Sequence, residues 1–184
     1  MVDQVTAWIK TGLKIFAKEG HIEVNTLCKK HGKSKSSFYN IYPNVKGSRG
    51  FDRYMDDLFE HHYRIVNSFS QILATFYHSH DLDTSIKEIV RLSLKYATYQ
   101  ACSARMRYLS PLDKRIKKYW KVIEEGYLKL ISDFYIYFNI PHDSITVHHD
   151  MRLYLDSYLH YSGKAWAKEY TDILKARQAM QKHK

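Results

Sequence analysis

Cysteine, proline and glycine are scarce in this 184-residue chain, at two, three and seven residues. Two cysteines, Cys28 and Cys102, make no disulfide framework and show no paired metal-ligand spacing. Both read as reduced core residues of a cytosolic protein. So few turn formers leave long helices as the natural elements. No apolar run approaches the roughly 20 residues of a membrane span. Asp3, Lys10 and Lys14 interrupt the first apolar residues, so no secretory leader is expected and the location reads as cytoplasmic. Signatures of catalysis are missing too: no nucleophile elbow, no glycine-rich phosphate loop, no helix with two histidines and an acid. The pairs His61–His62 and His148–His149 are adjacent, and adjacent helical residues point about 100° apart, which suits no metal. His78 and His80 fall in a turn. No catalytic residue, metal site or cofactor is expected, and the chain is not read as an enzyme.

Apolar residues make up 45% of the sequence, enough for a folded core. The net charge is +10, with a pI near 9.4. Residues 1–50 hold nine Lys/Arg against three Asp/Glu, so six of those ten charges sit in little more than a quarter of the chain. A basic excess so placed suits a polyanion such as DNA.

That quarter contains residues 24–43, which read as two short helices around a tight turn. Val24, Leu27 and Cys28 form an apolar stripe at i, i+3, i+4. Gly32 supplies the left-handed conformation that ends a helix, and Ser34 can cap the next one. Phe38 and Ile41 face inward, and Pro43 disfavours helical geometry at Tyr42. The second helix then exposes Lys35, Ser36, Ser37, Tyr39 and Asn40. Small residues at a helix start allow close approach to a major groove, where hydroxyl, amide and ammonium groups meet base edges and phosphates.

Upstream, Trp8-Ile-Lys-Thr-Gly-Leu-Lys-Ile-Phe-Ala-Lys-Glu-Gly20 is a helix ended by glycine, and downstream stands Tyr39-Asn-Ile-Tyr-Pro43. Together with the hairpin, these resemble the N-terminal domain of the tetracycline-repressor (TetR) family of transcriptional regulators, over roughly the first 60 residues. The resemblance implies an all-α protein with a three-helix DNA-binding domain at 1–50 and a helical ligand-binding and dimerisation domain at 51–184. It implies a homodimer on a double-stranded operator, an unidentified small-molecule effector, and repression as the usual output. The two recognition helices would lie about 34–36 Å apart. By the same resemblance Lys35, Ser36, Ser37 and Asn40 meet base edges, while Ser34, Tyr39, Tyr42, Asn25 and Lys46 position the backbone. The sequence departs from the family pattern at Lys33, where the turn is usually apolar. It departs again at Asn44–Gly50, whose two glycines predict a loose connection to the next helix.

Beyond residue 50, apolar spacing of three to four predicts helices at about 51–77, 84–108, 112–139, 144–168 and 170–181. Leu94 belongs to the inward set of the second of these, and Asp83 or Thr84 is its expected cap. Tyr96, Tyr99, Trp120 and Tyr127 are placed to line an aromatic ligand pocket. The helix at 144–168 is apolar on most sides, so one face is expected to meet a partner. Met151, Leu155, Tyr158, Leu159 and Trp166 are the dimer-interface candidates. A second reading remains: an all-helical dimer that senses ligands or binds proteins without reading DNA.

Overall fold

The computed structural model describes residues 2–160 and 163–179. Among them run α1 (Val2–Glu19), α2 (Val24–His31), α3 (Lys35–Ile41), α4 (Gly50–Tyr77), α5 (Leu82–Lys95), α6 (Ala97–Leu109), α7 (Lys114–Tyr137), α8 (Ser144–His160) and α9 (Gly163–Ala179), with no strand. The all-α class follows.

Helix α1 buries Trp8, Ile9, Leu13, Ile15 and Phe16 on one side and leaves Lys10, Lys14 and Lys18 in solvent. Gly20 ends it at φ 78°, and Gly32 ends α2 at φ 75°, donating its N–H to the Cys28 carbonyl at 2.9 Å. Both are conformations that cost a side chain free energy and a glycine none. Ser34 caps α3, its Oγ accepting from the Ser37 N–H at 3.1 Å. Phe38 points inward from α3, fully buried, with the rings of Trp8, Tyr42 and Tyr54 all 5.3–5.4 Å away. Such ring contacts add about 0.5–1.5 kcal/mol each to the apolar burial, so Phe38 is the pin of this three-helix head.

Helix α4 continues from the head into the body, packing on α1 and then on α5, α6 and α7. The body is α5–α9, and one hydrophobic core runs without a break from Trp8 to Leu174. The expected helix at 84–108 is two helices. The chain turns at Tyr96 (φ −104°, ψ 21°), whose ring sets edge-on against Phe69 of α4. No glycine or proline marks this turn. It lets α6 lie against α1 and α8 while α5 stays with α4 and α9. The cap of α5 is Asp81, accepting from the Thr84 N–H at 2.7 Å, in place of Asp83 or Thr84. Leu94, expected inside, is exposed, because the buried stripe of α5 runs through Ile86, Ile89 and Ser93 and Leu94 stands off it.

Helix α8 ends at His160 rather than 168, and α9 spans Gly163–Ala179 rather than 170–181; residue 181 lies outside the described residues. α8 is also one-sided. Val147, Met151, Tyr154 and Leu155 are buried, whereas Ile145, His148, His149, Arg152 and Leu153 are exposed.

Candidate nucleic-acid interface

Helix α3 is short, and its outward positions are Lys35, Ser36 and Asn40, all exposed, with Ser37 and Tyr39 half-buried beside them. Positions 35, 36, 39 and 40 share one side of a helix. No large apolar group stands on that side. Asn25 of α2 and Ser34 are exposed at its edge. The Ser34 and Ser37 hydroxyls lie 3.0 Å apart, so part of their hydrogen-bonding capacity is spent holding the helix start. Lys33, the departure in the turn, is exposed, while Leu27 and Phe38 of the flanking helices are fully buried. Nearby, His31 stacks on Trp8 at 3.8 Å and meets Thr11 Oγ1 at 3.0 Å. Burial, with the Lys33 charge second, pushes its pKa down.

All nine Lys and Arg side chains within residues 1–50 are exposed, and none makes an ion pair among the described residues. The carboxylates behind the head are differently placed. Asp52 and Asp56 of α4 both face Arg115, at 3.0 and 3.5 Å. The positive charge of residues 1–50 is therefore not neutralised by carboxylates among the described residues.

The connection Asn44–Gly50 is a closed knuckle, not a loose joint. Val45 and Ser48 exchange two backbone hydrogen bonds, N–H to O, at 3.1 and 2.9 Å. Gly47 sits at φ 83° in the turn between them. The Asn44 side chain accepts from the Gly50 N–H at 2.8 Å, and Arg53 donates to the Pro43 carbonyl. A Cβ on Gly50 would lie 1.7 Å from the Tyr42 carbonyl oxygen, so the knuckle's base is clamped against the end of α3. Lys46 and Arg49 project from it into solvent.

Tyr42 does not join them. Its side chain is 5% exposed, stacked on Phe38 and edge-on to Tyr54, so it supports α3 from within rather than touching a backbone outside. Burial, then the neighbouring Asp57 carboxylate, raises its pKa.

In the body, the expected pocket residues are largely core. Trp120 is buried, Tyr96 packs on Phe69, and Tyr99 stacks on His62. Of the four, Tyr127 lines a small cavity of about 30 Å³, walled by Phe69 and Leu73 of α4, Ile89 of α5, Phe134 of α7 and Tyr154 of α8. On the scale of about 10–15 Å³ per water, it has room for two or three water molecules.

Joined to this cavity through Tyr127 is a buried polar group. His62 Nε2 lies 2.9 Å from the Tyr99 carbonyl and 3.2 Å from Ser103 Oγ. A carbonyl only accepts, so Nε2 carries the proton and Nδ1 is a bare acceptor. Ser103 Oγ lies 3.2 Å from the Tyr127 hydroxyl, which donates to Gln100 Oε1. Burial holds the His62 pKa down at about 4, against a smaller upward pull from the Tyr99 carbonyl, so the ring is neutral at pH 7. A second group joins Ser93 Oγ to the Tyr154 hydroxyl at 2.9 Å. The signal for His62 was present: it stands on the inward stripe of α4 between Leu58 and Val66, where an apolar residue belongs.

Of the dimer candidates, Met151 and Leu155 are wholly buried within their own body, because they sit on the side of α8 that packs against the rest of the core. Tyr158 and Leu159 are half-buried. Trp166 falls in α9, and its side chain lies outside the described residues.

Comparison with models of known protein families finds no match, and no curated protein matches the sequence. Among solved structures, a protein assigned to the TetR family of transcriptional regulators, from Syntrophomonas wolfei str. Goettingen, superimposes with a TM-score of 0.62. The overlap covers 96% of this chain and 95% of that one, at 16% identity. The likeness is one of fold, and it extends through the body as well as the head. No helix among the described residues is long and apolar enough to cross a membrane.

Proposed function

We propose that this protein is a DNA-binding transcriptional regulator of TetR type. The observation that supports this most is the outward side of α3: polar, accessible and flanked by cations that have no ion-pair partner among the described residues. Residues 1–50 form the DNA-binding domain and residues 51–184 the ligand-binding and dimerisation domain. Lys35, Ser36, Ser37 and Asn40 read base edges, and Asn40 suits adenine, whose N6 and N7 an amide meets in bidentate fashion. Asn25, Ser34, Tyr39 and Lys46 contact the sugar–phosphate backbone. The structural neighbour's description as a regulator agrees with this role.

The acting form is a homodimer on a palindromic operator, joined through α8 and α9 at Tyr158, Leu159 and Trp166. A small molecule bound in the body changes the distance between the two α3 helices, favouring whichever state it binds better. Repression released by that effector is the output. Selection of duplexes from a random pool by the purified chain, at stated salt, tests the reading. A two-fold-symmetric site whose recovery depends on Asn40 supports it. A chain that retains no duplex above background overturns it and leaves a helical sensing or interaction module.

A further inference from the structure

Polar side chains are costly to bury, and a body that needed only a core would not collect them at one point. Here His62, Gln100 and Ser103 are each 0% exposed, and Tyr127 is 1% exposed. They come from α4, α6 and α7, and Tyr127 joins them to the cavity: it lines the cavity, while its hydroxyl lies 3.2 Å from Ser103 Oγ and donates to Gln100 Oε1. Among the described residues, two polar atoms in this group have no hydrogen-bond partner: His62 Nδ1 and Gln100 Nε2. One is an acceptor and the other a donor of two N–H groups. The cavity itself is lined by aromatic and aliphatic side chains. The buried carboxylate Asp150 is engaged by Arg177 and by the Tyr135 hydroxyl, on a different part of α8.

We propose that the body binds an uncharged, mainly apolar molecule carrying one hydroxyl or amide group. Its apolar part occupies the cavity between α4, α5 and α7. Its polar group reaches the Gln100 amide N–H and His62 Nδ1 behind Tyr127. This inference rests on the effector role proposed above and names the chemical class that the site takes. A carboxylate or ammonium is rejected, because the cavity offers no counter-charge and desolvation of an ion there is severe. A plain hydrocarbon leaves both polar atoms unpaired and gains only burial. The ligand must also widen the cavity, since a benzene-sized molecule needs roughly 150 Å³. The rings of Tyr127 and Phe134 move to admit it, and α7 is displaced from α4.

Phenol and benzamide serve as probes, against toluene, benzoate and benzylamine, in thermal-midpoint shifts and calorimetric titration of the full chain. Phenol or benzamide should raise the midpoint and bind about tenfold tighter than toluene, the worth of one buried hydrogen bond. Benzoate and benzylamine should leave the midpoint unchanged. Gln100→Met, close in shape, should remove most of the advantage over toluene while still folding; should it fail to fold, the ranking of probes on the wild-type chain decides alone. Toluene binding as tightly as phenol, a charged probe binding best, or no probe shifting the midpoint each overturns the proposal. The readout uses no DNA, so this failure and a failure of operator binding are told apart.

Discussion

The hydroxyl of Tyr54 donates to the backbone carbonyl of Trp8 across 3.0 Å, through the gap that Gly12 leaves in α1. A Cβ at Gly12 would lie 1.9 Å from that hydroxyl and 2.6 Å from Leu58 Cδ1, far inside contact distance. Both neighbours are fully buried and cannot swing away. Gly12→Ala should therefore destabilise the protein by about 1–3 kcal/mol, the usual cost of overpacking, although alanine is the better helix former. Urea unfolding followed by circular dichroism measures it. A stabilised variant would mean that α1 and α4 are not held this closely.

Under the proposed function, affinity and selectivity should separate between the knuckle and α3. The knuckle carries Lys46 and Arg49 on a backbone fixed by Asn44, Gly47 and Gly50. If each cation neutralises one phosphate, removing it lowers the dependence of log K on log salt by about 1 and weakens all sequences alike. Lys46→Ala/Arg49→Ala should thus lower the slope by about 2 with the preferred sequence unchanged. Asn40→Ala should leave the slope nearly intact and cost about 1–3 kcal/mol at one base pair only. Filter-binding titrations over a salt series, on selected and single-mismatch duplexes, read both. A slope indifferent to the knuckle pair would remove Lys46 from the interface.

These two cases also show what the sequence displayed. The head was legible because its signals are local: Gly20, Gly32, Ser34 and Pro43 each act within about four residues of themselves, and Phe38 and Leu27 fall on obvious stripes. The knuckle was not, since Gly47 and Gly50 read as looseness unless their partners, Ser48 with Val45 and the Tyr42 carbonyl, are known. The turn at Tyr96 has no local signal at all; it answers to packing of α6 on α1. The same holds for Met151 and Leu155. An apolar residue declares that it will be buried, not whether its own chain or a partner covers it. Tyr42 misled for a similar reason, its polar tip suggesting an exterior role that its ring, stacked on Phe38, does not permit.

His62 predicts how stability varies with pH. Its folded pKa, about 4, lies below the ordinary histidine value of 6.5, chiefly through burial. The unfolded chain therefore binds the proton more readily. Stability from this group is complete above pH 6.5 and is lost as pH falls toward 4, by up to about 3 kcal/mol. Comparing urea unfolding at pH 7 and pH 4.5 for wild type and His62→Asn isolates it: the variant should lose less stability on acidification. Parallel losses would show that His62 is not the group that titrates.

The last helix is held by a buried ion pair. Arg177 of α9 clasps the carboxylate of Asp150, with Nη2 at 2.6 Å from Oδ1, and the Tyr135 hydroxyl donates to Oδ2 at 2.5 Å. Asp150 is 1% exposed, so three elements, α7, α8 and α9, are joined at a point where water does not screen the charge. Arg177→Ala strands that carboxylate in the core and should cost about 3–5 kcal/mol. The Lys175–Asp83 contact at 3.4 Å, between two half-exposed or more exposed side chains, cannot make up the difference. Replacing both partners together, Asp150→Leu with Arg177→Met, removes the stranded charge and should recover most of the loss. Hydrogen exchange locates the effect: in Arg177→Ala the amides of α9 should exchange fastest relative to wild type, while those of α1–α3 keep their protection. If the single and double variants were equally unstable, the ion pair would be adding attraction of its own beyond neutralising Asp150, and the desolvation cost of burying it would be smaller than the geometry implies.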